Sequence, residues 1–130
     1  MLTEELQIYR DAYELAKRTF SYAGNVPKTV RYGEYGRVMS MVCEVMDLVY
    51  VANSDFEERP AALRRTLQLL GGIRSRVRLF GELRYLSPRE SVAMMKGIEK
   101  IGRQATGWRN TSQGQSRGAT AKREYRSPMR

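Results

Sequence analysis

The chain has 130 residues, 42% of them hydrophobic and 28% charged, with a formal net charge of +9; this fits one domain with a core of its own and leaves no room for a second. Its single cysteine, Cys43, excludes an intrachain disulfide, and with no histidine a zinc site of the usual Cys/His kind cannot form. No apolar run approaches the roughly 20 residues of a spanning helix, and there is no signal peptide or lipidation motif, so the expectation is a cytoplasmic protein with no membrane contact, no metal and no cofactor.

Residues 3–23 read as a first helix, with Leu6, Tyr9, Tyr13, Ala16 and Phe20 stepping by three and four along one face. The stretch GNVPK at 24–28 stops it, since Gly24 and Asn25 suit a C-cap and Pro27 cannot continue a helix. A second helix is expected from about Val30 to Ala52, with Tyr35, Val38, Val42, Val45, Val49 and Ala52 as its apolar stripe and Cys43 as a small buried side chain. Its β-branched residues lower helix propensity, so packing must hold it.

After the polar linker 53–60, a third helix is expected over about 60–84, opened by Pro60. Leu63, Leu67, Leu70, Ile73, Val77 and Phe80 form its stripe. SPRE at 87–90 is the strongest local signal: Ser87 as N-cap, Pro88 at the first helical position and Glu90 three residues past the cap make a capping box. The fourth helix then buries Met94, Ile98, Ile101, Ala105 and Trp108 through about residue 109. Beyond it, residues 111–130 are polar and rich in Gly and Ser, a composition expected to stay disordered alone. Four long helices and no period-two segment predict an all-α domain, an up-down-up-down four-helix bundle over 1–110 with a basic, disordered tail over 111–130.

Charge is unevenly placed. Residues 1–58 hold 6 Lys/Arg and 10 Asp/Glu, whereas residues 59–130 hold 17 and 4. A basic half of this kind suits a polyanion, because phosphate binding releases condensed counterions. The third helix concentrates the effect. Arg64, Arg65, Arg76 and Arg78 flank its apolar stripe, where long side chains lay their methylenes on the core and keep their charge in water.

A solvated face is the plain reading of these arginines, yet such faces usually mix signs, and residues 59–89 hold eight arginines, no lysine and one carboxylate, Glu82. Arginine in place of lysine favours bidentate contacts to phosphate or carboxylate, hence a binding face. Arg74 and Arg84 fall at or beside seam positions. There Arg74 needs either a carboxylate of the acidic half, with Glu14, Glu44 and Asp47 as candidates, or an outward contact with a subunit or phosphate. In the tail, Arg117, Lys122, Arg123 and Arg126 around Tyr125 would suit phosphate contact with base stacking, although basic disordered ends are common.

The stretch VPKTVRYGEYG after the first helix, IRSRVRL in the third and IGRQATGW closing the fourth resemble the four-helix accessory proteins of diversity-generating retroelements, the accessory variability determinants, themselves similar to ribosomal-RNA intervening-sequence proteins. The resemblance covers about residues 3–110. The family usually has Phe-Pro-Lys where this chain has Val26-Pro27-Lys28, and Gly-Gly-Trp where it has Thr106-Gly107-Trp108. What the resemblance implies is a non-catalytic homopentamer that binds the element's reverse transcriptase and its template RNA or cDNA and supports mutagenic copying. The matching positions are Pro27, Lys28, Arg31, Arg74, Arg78, Gly102 and Trp108.

Each of these has a structural reading as well: Pro27 as a helix stop, Gly102 as a close helix approach, Trp108 as a core plug. The alternative function is a stand-alone intervening-sequence-type bundle, RNA-associated or structural, with no polymerase partner. An enzyme is disfavoured. No histidine is present for work near neutral pH, and the carboxylates are scattered rather than clustered for a nuclease metal.

Overall fold

The computed structural model describes residues 2–126, and side chains through Thr111. Among these the chain is all-helical: α1 spans Gln7–Tyr22, α2 is a single turn at Lys28–Arg31, and α3 (Glu34–Ser54), α4 (Arg59–Glu82) and α5 (Pro88–Arg126) follow. α1 packs on α3 and α5, α3 on α4, and α4 on α5, so the four long helices close into a ring around one core. No described helix is long and apolar enough to cross a membrane.

The first helix starts later than its sequence suggests. Thr3–Glu5 form a 3-10 turn, Leu6 is extended, and α1 begins at Gln7. The hydroxyl of the buried Thr3 accepts a bond from Asn53 at 3.0 Å, which ties this turn to the end of α3.

The buried face of α1 also differs from the expected one. Ile8, Ala12, Leu15, Ala16 and Thr19 point inward, while Tyr13 and Phe20 are 50% and 51% exposed. Two stripes compete on this helix, and the one with alanines wins because it lets α1 approach both of its neighbours. The aromatic stripe is left on the flank away from α5.

The expected second helix is broken at Tyr32–Gly33, leaving α2 as a separate turn. Gly36 allows this arrangement, since a β-carbon there would lie 2.9 Å from the Arg31 carbonyl oxygen. All six stripe residues of α3 are buried as expected. Cys43 is not: Val42 and Val45 take the inward positions and the cysteine is exposed. Partial desolvation, and then Asp47, push its thiol pKa up.

Tyr35 crosses the core to donate to the Thr19 carbonyl at 2.6 Å and stacks obliquely on Phe80, 5.5 Å between centroids. α4 buries Leu63, Leu70, Ile73, Val77 and Phe80 as expected, with Leu67 half-buried, and adds Ala62, Thr66 and Leu69.

The helix ends on Arg84 in the left-handed region, φ 64°. The Arg84 N–H donates to the Gly81 carbonyl and the Tyr85 N–H to that of Phe80, the bond pattern of a Schellman cap with arginine where glycine is usual. Arg84 is therefore an exposed cap residue and holds no seam position.

The capping box forms as expected. The Ser87 N–H donates to Glu90 Oε1 at 2.8 Å, and the Glu90 N–H donates to Ser87 Oγ at 3.1 Å. Asn25 donates to the other Glu90 oxygen at 2.7 Å, fastening the loop after α1 to the head of α5.

On α5, Met94, Ile98, Ile101 and Ala105 are buried, and half-buried Trp108 carries the Arg59 guanidinium over its ring at 4.9 Å. Gly102 is not a forced close approach, because its nearest neighbour would be 4.0 Å from an added β-carbon. Of the expected tail, the backbone of 112–126 continues α5. The side chains of Arg117, Lys122, Arg123 and Arg126, and residues 127–130 altogether, lie outside the described residues.

Candidate nucleic-acid interface

The arginines of α4 divide by the neighbour each flank meets. On the α3 flank they are matched: Arg65 reaches Glu44 at 3.6 Å, and Arg76 reaches Glu34 at 3.0 Å while donating to the Gly72 carbonyl at 3.1 Å. The two ion pairs join α4 to α3 with carboxylates drawn from the acidic first half.

Arg64, Arg74 and Arg78 reach no described carboxylate of another helix, and of these Arg74 lines a groove against α5. Arg64 and Arg74 are exposed with no described partner. Arg78 meets only Glu82, at 3.3 Å one turn further along the same surface, and an exposed i,i+4 pair of this kind is worth a few tenths of a kcal/mol, about 0.3–0.5.

Of the two placements open to Arg74, the structure has the outward one. Glu14 is taken by Lys17 and Arg18, Glu44 by Arg65, and Asp47 makes no ion pair with it. The reason lies in the stepping of α4. Its inward residues run Leu70, Ile73, Val77, Phe80, which carries position 74 just past the edge of the core sector and onto the α5 side.

Between α4 and α5 runs a shallow groove floored by Leu67, Leu70 and Ile98. Arg74 stands on one wall and Arg103 on the other, with Glu99 as the one carboxylate lining it. Gly71 and Gly107 leave open space where side chains would stand.

Arg103 belongs to a row that sequence reasoning missed. Arg89, Lys96, Lys100 and Arg103 are all exposed on α5 and make no described ion pair. Their spacings of seven, four and three place them within about 60° of one another at 100° per residue. The signal is present in the sequence, since these cations mark the side of α5 opposite Met94, Ile98, Ile101 and Ala105. It is fainter than the run on α4 because the row mixes lysine with arginine and Glu99 interrupts it in sequence.

Together the outer faces of α4 and α5 present Arg64, Arg74, Arg78, Lys96, Lys100 and Arg103 against two carboxylates, Glu82 and Glu99, a predominantly cationic surface. Cations spread over adjoining helices whose axes lie about 10 Å apart suit the phosphates of a backbone better than a single anion.

The remaining sequence candidates lie elsewhere. Lys28 is exposed on α2. Arg31 is half-buried and donates to the carbonyls of Gly24 and Val26 at 3.3 and 3.0 Å, so it knots the loop beneath it. The chain matches no known protein-family pattern and no curated protein.

Proposed function

We propose that this protein is a non-catalytic accessory subunit of a diversity-generating retroelement, which binds the element's reverse transcriptase and its template RNA or cDNA through the α4–α5 face. One observation carries this reading: Arg65 and Arg76 of α4 pair with carboxylates of α3, while Arg64 and Arg74 have no described partner, Arg78 meets only Glu82 of its own helix, and these three adjoin a cationic row on α5. Surplus charge used only for solubility has no reason to sort in this way. Left largely unmatched, it forms an electrostatic surface for a polyanion.

The proposed architecture is an up-down-up-down bundle, supported by the sequential packing of its helices, the return of α5 to α1, and the short connections at 55–58 and 83–87. We take the working form to be a homopentamer, as the family resemblance implies, and place it in the cytoplasm from its lack of a spanning run or targeting motif. Tyr13, Phe20 and Tyr50, each at least half exposed, supply apolar area for contacts with a second copy or with the polymerase on the side away from α5.

Co-expression with the reverse transcriptase of the same element tests the reading. The chain should co-purify with the enzyme and run as an oligomer by light scattering, and Arg74→Glu with Arg78→Glu should abolish retention of enzyme and RNA without unfolding the bundle. A monomer that retains neither the enzyme nor nucleic acid would end it.

A further inference from the structure

A second groove, about 660 Å³ in volume, lies between α1 and α5. Its floor is made of small or buried apolar groups: Ala93 and Gly97 of α5 facing Leu15 of α1, with Tyr22 closing one end. Its α5 rim carries Arg89, Lys96 and Lys100, members of the same cationic row whose Arg103 stands in the α4–α5 groove. One helix, α5, thus separates the basic face from an apolar trough and lends its cations to both.

The α1 rim carries Asp11 and Glu14, neither in a described ion pair with those cations. Asp11 accepts bonds from Gln7 of its own helix at 3.0 Å and from Gln104 of α5 at 2.7 Å, and Glu14 pairs with Lys17 and Arg18. The trough is lined by four cations, Arg18, Arg89, Lys96 and Lys100, against these two carboxylates, so its net charge is positive.

We propose that this trough receives an unpaired base of a single-stranded nucleic acid whose phosphates lie on Arg89, Lys96 and Lys100. The inference rests on the reading above, that the basic face binds nucleic acid, and adds a preference for single strands. An apolar slot beside a cationic ridge suits a strand that can turn a base inward while its backbone stays on the ridge. A duplex keeps its bases paired within itself, so it can use the ridge and the α4 arginines but not the trough. The methyl group of Ala93 and the bare backbone of Gly97 keep the slot open; a longer side chain at 93 would lie in it.

Fluorescence anisotropy with a labelled single strand and a labelled duplex of equal length tests this on the full chain. The unsubstituted protein should bind the single strand more tightly at the same salt. Ala93→Gln, which fills the trough without changing charge, should weaken single-strand binding about tenfold, the scale of one stacked base, and leave duplex binding within about twofold. Lys96→Gln with Lys100→Gln should weaken both, and an unchanged melting temperature shows that each variant is folded.

If Ala93→Gln alters both ligands equally or neither, or the two ligands bind the unsubstituted chain alike, the trough is not a base site and the basic-face reading stands alone. If the unsubstituted chain binds neither ligand, both ideas fall.

Discussion

Arg74 and Arg76 stand two residues apart on one helix, and their surroundings give them opposite uses. Arg76 is half-buried against α3, with Glu34 and the Gly72 carbonyl to satisfy it; Arg74 faces solvent with no described partner. The sequence shows that both border the core, but it does not show which helix lies beyond each border, and that neighbour decides whether a carboxylate is within reach.

Tyr35 is the residue whose chemistry the core alters most. Burial pushes its hydroxyl well above the ordinary value of 10, with Glu90 and then Tyr22 adding to the rise. A folded pKa above the unfolded one means that Tyr35 contributes fully below pH 10 and that stability falls as pH rises past it, because the unfolded chain loses the proton first. Urea unfolding across that range should show Tyr35→Phe less stable at neutral pH by about 1 kcal/mol, for the missing bond to Thr19, and with a shallower alkaline decline. An equally steep decline in the variant would contradict this.

At the scale of elements, the features written in adjacent residues are the legible ones. The capping box at Ser87–Glu90 and the stripes of α3, α4 and α5 form where the sequence places them, since each rests on local bonds or on one dominant apolar face. α1 carries two credible stripes, and only the positions of α3 and α5 select the one with alanines, so its buried face cannot be read from the helix alone. The Schellman cap of α4 is hidden because its left-handed position holds arginine in place of the usual glycine. That conformation costs a side-chain-bearing residue about 1 kcal/mol, so Arg84→Gly should stabilise the protein by about that amount in thermal or urea unfolding. A loss of stability would mean that the Arg84 side chain makes an interaction outweighing the strain.

The whole molecule is electrically two-sided. Its acids lie mostly on α1 and α3 and in the turns beside them, where two, Glu34 and Glu44, pair with the arginines of α4 that face them. The outer faces of α4 and α5 keep the surplus. The imbalance between the two halves of the chain is plain in the sequence, as is the clustering of arginine on α4. Its resolution into a paired flank and a free one is not, because that depends on helix order around the ring. The cations of α5 escaped sequence reasoning altogether, although they lie on one side of a helix whose opposite, apolar side is evident from its spacing.

The most direct test is the salt dependence of nucleic-acid binding in two sets of variants, measured by anisotropy on a duplex over a range of NaCl. Replacing Arg64, Arg74, Arg78 and Arg103 by alanine should lower the slope of log K against log salt by about 0.9 for every phosphate no longer neutralised, whereas replacing Arg65 and Arg76 should leave it unchanged. Equal slopes in the two sets, or binding indifferent to salt, would contradict the assignment of the α4–α5 face as the polyanion surface.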